Sequence, residues 1–131
     1  MRVVRLSWLL VANAVVVGLF GVVAVVSPGP LYDLFGGTSD IGSQFLVQLF
    51  GATLVGEALV RGGMRRIPPG ELRTALLSAS FVEYVVALTA AALAQIGGVT
   101  NEAGFVIVGL YALFAIGYGY FRFASPSAAA A

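Results

Sequence analysis

A chain of 131 residues with 60% hydrophobic and 10% charged side chains is far more apolar than a soluble domain, which carries roughly 25% charge. Its net charge of +1 hides no basic cluster, which argues against a nucleic-acid partner. The absence of cysteine and histidine removes disulfides, thiol chemistry, Cys/His zinc sites, Fe–S ligation, histidine-ligated haem and Ser-His or Cys-His catalysis. Neither a metal site nor a cofactor is expected, and we read residues 1–131 as one integral membrane domain. All seven basic residues are arginine, a usage that points to a GC-rich bacterial genome.

Leu6 to Val26 is apolar apart from Ser7, Trp8 and Asn13, and about 20 residues wound as a helix match the ~30 Å hydrocarbon core of a bilayer. The two preceding arginines resemble a secretory leader, but the apolar stretch exceeds the usual 7–15 residues and Val25-Val26-Ser27 is a poor cleavage site, so an uncleaved span is expected. Ser27-Pro28-Gly29-Pro30 then breaks the run. Pro30-Leu31-Tyr32-Asp33-Leu34-Phe35 can be read as a short interfacial helix stopped by Gly36-Gly37, with Leu31, Leu34 and Phe35 turned to lipid or onto the bundle; an irregular loop is the alternative.

Further apolar runs extend over residues 44–62, 74–96 and 105–123, separated by Gly62-Gly63 with Pro68-Pro69-Gly70 and by Gly97-Gly98. The runs are too long and too evenly apolar for barrel strands, and helices satisfy every backbone polar group internally. An all-α fold follows. Short connections favour an antiparallel bundle of four transmembrane helices. The tail from Ser125 to Ala131 is expected to fray.

Orientation follows from the arginines, because positive charge is retained on the cytoplasmic side. Arg2 and Arg5 precede span one, Arg61, Arg65, Arg66 and Arg73 surround the second loop, and Arg122 closes span four. The first and third loops carry only Asp33, Asp40 and Glu102. Both termini are therefore expected in the cytoplasm, with the protein in the inner (plasma) membrane. Trp8, Tyr118, Tyr120, Phe121 and Phe123 would form an aromatic belt at that interface.

Glu57, Arg61 and Glu83 fall inside the runs, where charge is costly and by default hints at function. Glu57 and Arg61 stand at i,i+4, so the pair can meet on one helix, with Arg61 reaching the boundary by extending its stem. Glu57 lies ~8 Å and Glu83 ~13 Å from the cytoplasmic ends of their spans. Glu83 shares its face with Ala79, Ser80, Ala87, Ala90 and Ala94, a small face suited to close packing. Two acids and one arginine leave one acid over, and Glu83 is the expected one. Asn13 and Gln95 are expected to donate interhelical hydrogen bonds, and Tyr111, Ala115, Tyr118 and Arg122 form a stripe that could border a cavity.

Span two is polar on two sides, with Gln44 and Gln48 opposite Thr53, Glu57 and Arg61, as expected of a helix sandwiched between neighbours. Self-association or assembly with other membrane subunits fits that pattern, membrane lipid being the other partner. No duplication of the first two spans in the last two is evident, and no catalytic motif joins the acids to the arginine. Two functional classes stay open: a non-enzymatic accessory or scaffold subunit of a membrane complex, or a small proton- or ion-coupled transporter working through Glu83 and Glu57.

The four-span layout, the Ser27-Pro28-Gly29-Pro30-Leu31-Tyr32-Asp33-Leu34-Phe35-Gly36 segment and the polar, glycine-bearing Leu49-Phe50-Gly51-Ala52-Thr53-Leu54-Val55-Gly56-Glu57 resemble small bacterial DoxX-like membrane proteins. Some members of that group are membrane subunits of quinone-linked oxidoreductases, so the resemblance implies an accessory role and transfers no active-site residue.

Overall fold

The computed structural model describes residues 5–124, so Arg2 and the tail beyond Ala124 lie outside the described residues. Helix α1 spans Leu6–Val26, α2 Pro28–Leu34, α3 Ile41–Met64, α4 Glu71–Ile96 and α5 Gly104–Gly119, which widens into a π-helical turn over Tyr120–Ala124. No strand occurs among the described residues. Four helices, Leu6–Val26, Ile41–Met64, Glu71–Ile96 and Gly104–Ala124, are long and apolar enough to cross a membrane, which makes this an all-helical multi-pass membrane protein.

The boundaries have local causes. Pro28 has no amide hydrogen and suits a first helical turn, so the chain ends α1 and restarts as α2 across Ser27 alone. The short helix is therefore formed, and begins two residues earlier than the proline-led segment predicts. Leu31 is buried and the Phe35 ring lies 6.0 Å from that of Phe20, while Leu34 faces outward. Asn101, from the third loop, holds the end of α2 by donating its backbone N–H to the Phe35 carbonyl (3.1 Å) and its side-chain amide to the Leu34 carbonyl (2.9 Å). Gly36, at φ +90°, supplies the left-handed turn beside it.

Helix α3 starts before its apolar run because Asp40 accepts from the Ser43 backbone N–H (2.7 Å) and the Ser43 hydroxyl accepts from the Asp40 N–H (2.8 Å), a reciprocal cap. That bond holds the Asp40 carboxyl below its ordinary pKa. Helix α4 ends in a Schellman turn: Val99 N–H reaches the Ala94 carbonyl, Gly98 N–H the Gln95 carbonyl, and Gly98 takes φ +69°.

Packing is uneven. Helix α1 lies along α3, and α4 lies along α5, whereas α3 and α4 scarcely approach each other despite being consecutive. In the α1–α3 seam Gly21 and Gly51 face one another so closely that a Cβ on Gly21 would stand 2.8 Å from the Gly51 carbonyl, and a Cβ on Gly51 would stand 2.7 Å from the Ala24 Cβ. Gly18 sits opposite Ala58 in the same seam. Small residues allow this backbone contact, which is how membrane helices gain dispersion energy without a hydrophobic drive. The two pairs meet through a thicker layer: Leu6, Leu10 and Met64 from the first against Leu77, Tyr84, Phe114, Tyr118 and Phe121 from the second.

The expected aromatic belt is corrected by this core. Tyr118 (0% exposed) and Phe121 (3%) point inward, because that interface needs large side chains to fill it. Trp8, Tyr120 and Phe123 face outward.

Candidate functional site

A polar cluster occupies the layer between the two helix pairs. Asn13 of α1, fully buried, donates its amide to the Tyr84 hydroxyl of α4 (2.5 Å) and accepts from the Tyr118 hydroxyl of α5 (3.1 Å). The Tyr84 and Tyr118 rings stack in parallel, 5.6 Å apart and 6° from coplanar. The Arg61 guanidinium of α3 lies 5.7 Å over the Tyr118 ring, within the range at which a cation is attracted to an aromatic face. One asparagine thus ties α1 to α4 and α5, and one arginine ties α3 to both. Asn13 is the interhelical donor it was expected to be.

The arginine's carboxylate partner is not the one its helix suggests. Arg61 Nη2 makes its ion pair with Glu83 Oε2 across the gap between α3 and α4, and this is the single salt bridge among the described residues. The cause is the Tyr118 ring and the α4 face beside it, which draw the guanidinium off its own helix toward the interior, where it is 5% exposed. Glu83 is therefore the paired acid and Glu57 the one left over, the reverse of the sequence expectation. Glu57 nevertheless stays in the group: it stands one turn before Arg61 on α3, close enough to Glu83 and Arg61 for their charges to interact. The three predicted residues are brought together, with two acids facing one arginine.

Several other polar side chains of the spans find partners locally. Gln48 donates to the Val25 carbonyl of α1 (3.1 Å), so the second polar side of α3 is spent on its closest neighbour. Thr53, Ser78, Ser80 and Thr89 return their hydroxyls to carbonyls of their own helices. Gln95 does not cross to another helix; it accepts from Thr100 and donates to the Asn101 carbonyl in the loop that follows. Arg122 donates to Ser78 Oγ (2.6 Å), tying the last turn to α4.

Beyond the cluster, toward the end of the bundle that carries α2, lies an apolar cavity of about 240 Å³ whose walls include Phe20, Phe35, Phe50, Ala91, Ala94 and Tyr111. Its α4 wall is built of small residues, Ala91 and Ala94, on a helix that makes little contact with α3. Tyr111 joins the two features: it lines the cavity, its ring lies 5.9 Å from that of Tyr84, and it stands in the field of both Glu57 and Glu83.

Sequence reasoning found Tyr111 and Tyr118 as a stripe but missed Tyr84. The available signal was its place on the Leu77-Ser80-Tyr84 face, all three buried, which is the true inner face of α4. Among the described residues no three acidic side chains converge as they would around a metal ion.

Fold and site together define a small all-helical membrane protein with an intramembrane acid-arginine-tyrosine cluster. No protein-family model, curated protein or solved structure matches the chain.

Proposed function

We propose that this is a non-enzymatic carrier of the bacterial plasma membrane, coupled to a proton or another cation, in which Glu57 is the exchanging group and Arg61 sets the charge of the site. The observation that carries this reading is the charge count at membrane depth. Two carboxyl groups share one arginine, so the cluster holds one negative charge in excess until a proton or cation joins it. A purely structural ion pair needs no second acid.

The carrier has its helices antiparallel and both termini in the cytoplasm. The opposed positions support the first point: Gly21 faces Gly51 and Gly18 faces Ala58, so residues advance along α1 as they recede along α3. The arginines support the second, since Arg5, Arg61, Arg65, Arg66, Arg73 and Arg122 all fall toward one end.

The test is flux in proteoliposomes under an imposed proton gradient. Wild-type protein should carry protons or a counter-transported cation, and Glu57→Gln should abolish the flux while leaving the protein folded. Flux that survives Glu57→Gln, or none in the wild type, removes the carrier reading.

A second reading, an accessory or scaffold subunit, draws support from the network itself. Asn13, Tyr84, Tyr118, Arg61 and Glu83 link all four long helices, as a rigid docking body requires, and the DoxX-like resemblance points the same way. It predicts a stable partner, or a second copy, on purification from the native membrane in mild detergent, lost on Arg61→Met and indifferent to Glu57→Gln.

A further inference from the structure

The cavity and the acids lie along the same helix faces. On α3, Phe50 precedes Glu57 by seven residues, within about 20° on the helix at 100° per residue and ~10 Å away along the axis. On α4, Ala94 follows Glu83 by eleven residues and falls within about 20° of it as well. Cavity wall and carboxylate therefore share a face on each helix, and Tyr111 of α5 lines the cavity with its ring 5.9 Å from that of Tyr84, the residue after Glu83. An apolar, aromatic pocket and an acidic pair are thus set in line between α3 and α4, ~10 Å apart along α3 and ~16 Å from Ala94 to Glu83 along α4. Neither acid is sealed: Glu57 is half-buried and the Glu83 side chain is 35% exposed.

Such an arrangement selects for chemistry at both ends. Aromatic and alanine walls take an apolar body, since a small site gains most of its affinity from burying apolar surface while a few convergent polar groups fix orientation. The acidic end selects charge. An anion would meet two carboxylates, and a neutral head group would leave the excess negative charge uncompensated. A monocation balances two acids and one arginine to zero, and Tyr111, on the cavity wall, offers a ring that attracts a cation further.

We infer that the pocket and the acid pair together bind a lipophilic monocation, an amine or quaternary ammonium whose apolar body occupies the Phe20-Phe50-Ala94-Tyr111 cavity and whose charged head lies between Glu57 and Glu83. The inference rests on the carrier reading, to which it adds a substrate class.

A matched set of probes tests it: 4-phenylbutylammonium, the neutral 4-phenylbutanol and the anionic 5-phenylvalerate, each titrated onto the full-length protein in lipid nanodiscs. Saturable binding of the ammonium ion, at least tenfold tighter than of the alcohol, is expected, with no binding of the carboxylate. Glu57→Gln should erase the preference for the ammonium ion over the alcohol while alcohol binding persists. Ala94→Trp, which fills the cavity without touching the acids, should weaken both ligands at least tenfold. The absence of saturable ammonium binding, or a preference that survives Glu57→Gln, overturns the site. The two proposals fail separately: Glu57-dependent proton flux without ammonium binding overturns the substrate class and leaves the carrier, whereas Glu57-dependent binding without flux upholds the site and removes the carrier.

Discussion

The two seams of this protein are built on opposite principles. Between α1 and α3, glycines bring backbone against backbone and no charged group is involved. Between the α1–α3 pair and the α4–α5 pair, aromatic and aliphatic side chains hold the helices apart, polar groups bridge the interval, and part of it stays unfilled as a cavity. The contrast shows where function can reside in a bundle this small. A seam closed at the level of the backbone has no room for a ligand, whereas one propped open by tyrosines can hold buried charge, because partners from four helices converge on it.

The sharpest way to break that contrast is to put bulk into the tight seam. Gly51→Leu places its first carbon against Ala24 and the Gly21 carbonyl, with no flexible neighbour to yield. We expect a loss of about 3 kcal/mol or more, the upper end for overpacking, seen as failure to elute as a single species in detergent. Gly56→Leu on the same helix, where a Cβ meets nothing within 4 Å, should be silent.

The open seam should fail more gradually. Arg61→Met leaves two acids without their cation, and unpairing a buried ion costs about 3–5 kcal/mol. Because Glu83 is one-third exposed, we expect about 2–3 kcal/mol here, measured by thermal unfolding in detergent. Adding Glu83→Gln to Arg61→Met should recover part of the loss, since it removes a stranded charge; no recovery would mean that Arg61 acts through Tyr118 alone.

Smaller again is Asn13→Leu, which strips the Tyr84 and Tyr118 hydroxyls of a shared partner and should cost about 1–3 kcal/mol. Combined with Tyr118→Phe it should cost less than the sum, and additivity would show that the three side chains do not act as a unit.

The smallest effect lies outside both seams. Asp40→Ala removes a helix cap and should show as faster amide exchange over the first turn of α3. The Asp40 carboxyl has a folded pKa held below its ordinary value, so the cap's contribution is fully present above the ordinary value and lost as pH falls through the folded pKa. Exchange should quicken on acidification in the wild type and stay flat in Asp40→Ala, once both are corrected for the intrinsic pH dependence.

Much of this was legible in the residues. The long apolar helices were, because ~20 apolar residues can satisfy their backbone groups in lipid only by winding into helices. Helix starts were less so: α3 begins three residues before its apolar run because an Asp40-Ser43 cap carries no hydropathy. Membership of the cluster was legible, since an ionisable residue within an apolar run has few places to go. Its wiring was not. The i,i+4 spacing made Glu57 the nominal partner of Arg61, yet a long guanidinium side chain reaches a neighbouring helix as readily as its own, and Tyr118 and Glu83 lay there. Tyr118 likewise reads as a belt residue from its position near the helix end and proves fully buried, because inward direction depends on which neighbour the helix packs against.

The sequence by itself determined the class, four helices apolar and long enough to cross a membrane, because hydropathy acts residue by residue along the chain. Only the tertiary structure decided that α3 packs on α1 and stands off α4, that Glu83 takes the arginine and Glu57 is left beside it, and that a cavity opens further along the bundle. Those are properties of how far apart two helices stand, and that distance depends on side chains from both at once.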